Sequence, residues 1–363
     1  MTDATKPAGI KDISKALNVS IGTVDRAIHG RSGVSEKTKA RVLQMAAELG
    51  YTPNLAAQAL KINRQLSIAV VLPKHISHFF DPLRKGIRAA AAATVGTHVA
   101  MEYFEYPRLG MGDVEAFAPI MDRNFDGIIF LPGDAREFDP LIRKLSRRGT
   151  AMMCVGSDAP NTERIGSVTA DASVSGALAA ELLSFKLSQK ANVAVFSGAL
   201  STMDHAEKLR GFAATLATQA SHLTLMPVLE SHERPKEAYR QALALMKGKA
   251  HPEGLYISTA NSIPVMKALE ERGLLGKVQV VTTDLFQELV PLIQSGKILA
   301  SLYQRPYRQG KTAFENLLSY LLRKGTAPQT VRLAPHVIFR SNISLFFDHI
   351  LRTDETIEEE DDL

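Results

Sequence analysis

Cysteine occurs once in the 363 residues, as Cys154, and tryptophan does not occur at all. A single thiol excludes a disulfide framework and a cysteine-rich metal site. No apolar run approaches the length of a membrane span. Residues 1–9 lack the apolar stretch of a secretory signal, so a cytoplasmic protein with no membrane partner is expected. Enzyme signatures are missing as well. There is no P-loop and no G-x-G-x-x-G, since Gly110-x-Gly112 has no later glycine. There is no G-x-S-x-G elbow and no H-E-x-x-H pair. Cys154 lies within an apolar run and reads as a buried structural thiol. No catalytic residue, metal or cofactor is expected.

Charge is also absent where it would be informative, and present where it is. Of the 43 basic and 38 acidic residues, ten and five fall within residues 1–66, leaving 33 of each in residues 67–363. The whole formal excess of +5 therefore sits in the first 66 residues. Clustered positive charge is the footprint of phosphate binding.

That basic segment reads as short helices. Ile13, Ala16 and Leu17 make an apolar stripe at helical spacing. Asn18 suits a turn, Val19 plugs the corner, and Ser20 is placed to cap a second helix. Val24 and Ile28 continue the buried face, leaving Ile21, Gly22, Asp25 and Arg26 outward. A third helix follows, capped by Ser35, with Val42, Leu43, Ala46 and Leu49 as its stripe and Gly50 as its stop. Two helices across a tight turn form a unit that lays one helix in the major groove of DNA; a purely structural three-helix bundle is the bland alternative. After Pro53, residues 54–63 read as a helix of about two turns, too short to stand alone in water. It needs a partner helix or DNA, unless it is an ordinary linker.

Val19-Ser20-x-x-Thr23-Val24-x-Arg26, Val34-Ser35-x-x-Thr38-x-x-x-Val42 and Tyr51-x-Pro53-Asn54 together resemble the LacI family of bacterial repressors. Leu60-Lys61-Ile62-Asn63 is similar to the hinge helix of the purine repressor in that family. The resemblance implies a homodimer on a pseudo-palindromic double-stranded DNA operator. In the head, Ser20 and Thr23 would bond phosphates, with Ile21, Gly22, Arg26 and His29 at the base-reading face. In the hinge, Asn54, Ala57 and Lys61 would line the minor groove while Leu60 wedges between base pairs and kinks the duplex. Ile21 and Gly22 stand where relatives often place polar side chains, and Asp25 where serine is common.

The remaining chain alternates strand and helix. Residues 67–72, 99–104, 127–131, 151–155, 192–196, 255–257 and 278–282 are short apolar runs that read as buried parallel strands. Residues 83–94, 174–187 and 262–272 read as helices between them. The fold class is α/β, with an all-α head and hinge helix ahead of a doubly wound parallel-sheet body. Ligands of such sheets bind beyond the carboxyl ends of the strands. There the sequence places Phe79, Phe80, Asp158, His205, Lys208, Arg210, Asn261, Asp284 and Gln304, rings to stack on and groups to bond hydroxyls, a set suited to a small carbohydrate or polyol.

These pieces are similar to the ribose-binding branch of the periplasmic-binding-protein type I fold. That resemblance implies two lobes with the effector between them and chain crossings near residues 157–168, 284–301 and 324–335. Lys208 falls where relatives place an arginine, and His205 or Arg210 is the expected substitute donor. Ala159 stands where the ribose pattern has arginine, which argues against ribose itself. The expected organisation is a head over residues 1–52, a hinge over 53–66, a ligand-binding and dimerisation body over 67–350, and an acidic, disordered tail over 351–363. The function expected is a ligand-controlled repressor; the alternative is a sugar-processing enzyme or solute-binding protein with an appended helical head.

Overall fold

The computed structural model describes residues 9–28, 33–49, 65–94, 98–248, 250–322 and 330–347. His29, the whole of the 54–63 hinge with Asn54, Ala57, Leu60 and Lys61, and the acidic tail lie outside the described residues.

The head consists of α1 (Ile10–Leu17), α2 (Ile21–Ile28) and α3 (Glu36–Glu48). Asn18 takes the left-handed conformation at the end of α1, with φ 51°, a state asparagine tolerates better than most residues. That reversal turns the chain into α2 within three residues. Ser20 caps α2 by accepting from the Thr23 amide at 3.0 Å, and Ser35 does the same for the Thr38 amide at 3.2 Å. Ile13, Val24, Ala27 and Val42 form the buried centre, with Ile10, Leu17, Val19, Ile28 and Ala46 around it. Ala16, Leu43 and Leu49, expected within the apolar stripes, are exposed instead. A core this small closes around one residue per turn, and flanking positions are left outside.

The body is two α/β lobes. The first contains β1 (Leu66–Pro73), α4 (Ser77–Ala92), β2 (Val99–Tyr106), α5 (Ala118–Met121), β3 (Gly127–Phe130), α6 (Ala135–Arg147), β4 (Ala151–Val155) and β5 (Gly166–Ala170). The second contains α7 (Ala172–Lys186), β6 (Ala191–Ser197), α8 (Met203–Gln219), β7 (Leu223–Leu225), β8 (Leu229–Glu230), α9 (Pro235–Leu245), β9 (Gly254–Ile257), α10 (Ser262–Glu271), β10 (Gln279–Thr283), α11 (Val290–Gln294) and β11 (Ala300–Tyr303). The chain then returns to the first lobe for α12 (Pro306–Leu322) and β12 (Val331–Leu333), and finishes on the second with β13 (His336–Ile338).

The first sheet has the order β12-β5-β4-β3-β1-β2, all parallel. The second runs β13-β11-β10-β9-β6-β7, with β8 beside β6 and only β13 antiparallel. The central strands are buried on both faces, which is why they read as continuous apolar runs.

The first two crossings lie a few residues past the expected stretches, and the third falls within 324–335. The chain first leaves the first lobe at residue 171, because 166–170 is itself a strand of that lobe's sheet. It returns at 304–305, after β11 has joined the second sheet, and crosses last at 334–335. Strands with few apolar residues, such as β5, are held by pairing with neighbours that no local pattern reveals.

One pair of helices in each lobe crosses at backbone contact. In the first lobe a Cβ on Gly86 of α4 would lie 2.0 Å from the Tyr307 carbonyl oxygen, and one on Gly310 of α12 would lie 2.0 Å from that of Leu83. In the second, a Cβ on Gly176 of α7 would lie 1.9 Å from the Lys208 carbonyl oxygen, and one on Gly211 of α8 2.0 Å from that of Ser173. Only glycine permits either approach.

Candidate functional site

In an open α/β sheet the crevice lies where the strand order reverses. That point falls between β1 and β3 in the first sheet and between β6 and β9 in the second. The segments that follow these strands meet in one cleft of about 490 Å³. From the first lobe come Ile76, Phe79, Phe80, Leu109 and Leu131, an apolar wall; Ser157 is its main polar exception. From the second come Thr202, Asp204, His205, Lys208, Glu233, Thr259, Asp284 and Gln304. One wall can cover the C–H face of a ligand while the other bonds its polar edge.

The polar wall is a connected network. Lys208, fully buried on α8, donates to Asp204 Oδ2 at 2.6 Å and to Gln304 Oε1 at 3.0 Å. Gln304 Nε2 donates to Asp284 Oδ1 at 2.6 Å, and His78 Nε2 of the first lobe lies 3.8 Å from Asp284 Oδ2. The His78 ring stacks on Phe286, centroids 4.1 Å apart. A second branch joins His205 Nε2 to Glu233 Oε1 at 3.1 Å, and the Thr259 hydroxyl donates to the same carboxylate at 2.7 Å. His232, Glu233 and Asp284 have φ of 49°, 53° and 70°. Non-glycine residues in that region are uncommon and cluster at functional sites.

Burial would raise the pKa of both Glu233 and Asp284, yet both are lowered overall. For Glu233 the opposing causes are His205, the Thr259 hydroxyl and Lys208; for Asp284 they are His78, Lys208 and Gln304. Burial likewise pulls Lys208 down, but the charges led by Asp204 raise it overall. The sign for stability follows. A carboxylate with a depressed folded pKa contributes stability that is complete above its unfolded value of about 4 and is lost as pH falls through the folded one. The thermal unfolding temperature should therefore fall as pH drops below about 4. In Glu233→Gln that acid-side slope should be shallower; an unchanged slope would show that Glu233 contributes nothing to it.

Of the expected ligand residues, Phe79, Phe80, His205, Lys208, Asp284 and Gln304 line the cleft. Asp158 does not. Arg164 holds both of its carboxylate oxygens, and Asp158 lines an adjoining cavity that shares Ser157 and Asp204 with the cleft. Asn261 is also outside the lining; its amide donates to Ser231 Oγ at 3.0 Å and Thr259 Oγ1 at 3.3 Å, bracing the loop behind the wall. Arg210 is exposed on the outside of α8, paired with Glu207. Glu233, Asp204, Thr202 and Thr259 were not expected. The spacing of Asp204 and Lys208, four apart on one helix, was a usable signal. Glu233 had none, since it sits in the loop between β8 and α9.

On the head, Ile21 is 49% exposed although it is a large aliphatic residue. Arg26 is exposed and Asp25 half-buried. Ser20 Oγ and Thr23 Oγ1 lie 2.8 Å apart at the start of α2, beside the amides that a phosphate would meet there. A Cβ on Gly22 would be 3.6 Å from Arg26 Nη1, an ordinary contact, so the Arg26 guanidinium lies back along the helix over Gly22.

Residues 9–54 match the family model of bacterial regulatory proteins, lacI family, and residues 68–325 match that of the periplasmic binding protein domain. The chain belongs to the LacI family. Catabolite control protein A of Priestia megaterium is 23% identical over 337 residues, 92% of this chain and 98% of that protein. The transcriptional repressor PurR of Aliivibrio fischeri is 24% identical over 348 residues, 93% and 98% of the two chains. This LacI-family chain is thus a transcriptional regulator, and these relatives are regulators rather than enzymes.

Among solved structures, its body is similar to GanP, a glucose-galactose binding protein of Geobacillus stearothermophilus. The TM-score is 0.71 and the identity 23%, covering 77% of this chain and 99% of that one. A solute-binding protein of Burkholderia graminis C4D1M in complex with D-arabinose matches with TM-score 0.70 and 20% identity, covering 77% and 96%. At that identity the likeness fixes the fold of the LacI-family body. Among the described residues no helix is long and apolar enough to cross a membrane.

Proposed function

We propose that the chain is a repressor whose operator affinity is set by a small polyhydroxylated effector in the interlobe cleft. The observation that carries this reading is the pairing of an apolar wall on one lobe with a connected polar wall on the other. Such a cleft is completed only when the lobes face each other, so a ligand in it favours one lobe arrangement over another. The structural neighbours, one a glucose-galactose binding protein and one in complex with D-arabinose, support the ligand class. Two heads on a homodimer would read half-sites of a pseudo-palindromic operator. Ser20 and Thr23 would hold phosphates, and Ile21, Gly22, Arg26 and His29 would face base edges. Asn54, Ala57, Leu60 and Lys61 would engage the minor groove.

The test combines both ends of the molecule. Operator binding is measured with a panel of sugars and polyols, alongside thermal unfolding of the full chain. A compound that stabilises the protein should also change operator affinity. In Asp284→Ala the chain should still bind the operator, with both responses to that compound lost. Stabilisation without any change in operator binding would defeat the reading.

A further inference from the structure

The charges in the cleft do not balance, and the imbalance has a direction. Its lining holds three carboxylates, Asp204, Glu233 and Asp284, against one ammonium, Lys208. The first-lobe wall adds no charged residue. Two imidazoles touch the carboxylates, His205 on Glu233 and His78 on Asp284. With both neutral the site carries two net negative charges; with both protonated it reaches zero. With the carboxylates and Lys208 charged, neither imidazole state leaves positive charge over for an anion.

The hydrogen bonds tell the same story. Lys208 donates to Asp204 and Gln304, both inside the wall. Arg210, the other cation near α8, points outward. His205 presents Nε2 to Glu233, so in the neutral ring that nitrogen bears the proton and Nδ1 is left as an acceptor. In that tautomer His205 accepts from a ligand at Nδ1 instead of donating to it. His205 is 5% exposed, lines the cleft, and its Nδ1 is buried with no partner. Asp204 Oδ1, on the preceding residue, is buried and unpartnered too. The N-terminus of α8 would by itself attract an anion, but Asp204 in its first turn already answers that dipole.

We propose that the effector carries a protonated amine: the cleft takes an amino sugar or a similar polyhydroxylated ammonium compound, held by Asp204 Oδ1 and His205 Nδ1. This rests on the reading of the cleft as the effector site. A hydroxyl offers one proton and needs its own lone pairs matched, whereas an ammonium offers three protons and no acceptor. It also removes a net negative charge from a water-poor site, where unbalanced charge is costly. Across the cleft, Phe79 and Phe80 sit edge to face, with ring centroids 5.1 Å apart, and aromatic faces attract cations. Glu233 acts as a positioning residue, fixing the His205 ring so that Nδ1 faces the ligand. A sugar acid or sugar phosphate would meet three carboxylates and is excluded.

Full-length protein is titrated by calorimetry and thermal shift at pH 6.5, where the amines are protonated. The probes are glucose and glucosamine, galactose and galactosamine, mannose and mannosamine, the N-acetyl derivative of each amine, gluconate and glucose 6-phosphate. At least one amino sugar should bind about tenfold more tightly than both its parent and its N-acetyl form. A parent binding as tightly as its amine, or an anion binding best, overturns the amine assignment while leaving a sugar effector standing. A panel silent throughout removes the sugar-effector reading and this proposal with it. In Asp204→Asn the preference for amine over parent should collapse towards one. Equal losses for both partners would reduce Asp204 to a structural part and overturn the assignment. Glu233→Gln, which should also narrow that preference, serves if Asp204→Asn does not fold.

Discussion

Gly176→Ala is expected to destabilise the protein by about 3 kcal/mol, although alanine is the better helix former. In an exposed helix the exchange would gain about 1 kcal/mol from propensity. Here the new Cβ would fall 1.9 Å from the Lys208 carbonyl oxygen and 2.7 Å from the Phe212 amide nitrogen. Those are backbone atoms of α8 and cannot swing aside, so the whole helix has to shift. The clash wins over the propensity. Because Lys208 rides on the displaced turn, its contacts with Asp204 and Gln304 would be strained as well. Chemical denaturation measures the effect; a variant as stable as the parent would falsify the close crossing of α7 and α8.

Gly198→Ala should leave the chain folded but deaf to its effector. A Cβ there would lie 2.2 Å from His205 Nε2 and 2.5 Å from Glu233 Oε1. Both are side-chain atoms, so the pair can separate, but separation leaves a buried carboxylate without its imidazole partner. Affinity for the best compound of the sugar panel should fall by about a hundredfold or more, the scale of truncating a buried charge pair. Operator binding without effector should persist, since the head is remote in sequence and has its own core. If the effector still shifts operator affinity with the parent's midpoint, the His205–Glu233 pair has no part in binding.

The two glycines also mark how far the sequence could be read. The head was legible because its signals are local. Ser20 and Ser35 accept from amides three residues on, the Asn18 amide donates to carbonyls of the turn before it, and each helix offers one apolar face, with Ile13, Val24 and Val42 at its centre. Central strands were legible because burial on both faces makes them apolar throughout. The exposed positions of Ala16, Leu43 and Leu49 were not, since a periodic stripe does not say how wide the facing core is.

In the cleft, side chains immediately after strands were placed by the general geometry of parallel sheets, which served for Phe79, Phe80, Asp284 and Gln304. Asp158 and Asn261, picked by the same rule, lie beside the cleft lining and outside it. Each was captured by a neighbour, Arg164 in one case, Ser231 and Thr259 in the other. A strand end fixes where a residue starts but not which partner it finds.

By itself, then, the sequence determined the helical head, the concentration of positive charge there, the α/β class of the body and the edge of the sheets where the cleft opens. These follow from periodicity, capping and composition, all of which act over short stretches of chain. Only the tertiary structure decided the wall chemistry. It brought Glu233 from an unmarked loop onto His205 and joined Lys208 to Gln304 across 96 residues. Such pairings depend on how two sheets face each other, and charge balance in a cleft exists only once both walls are in place.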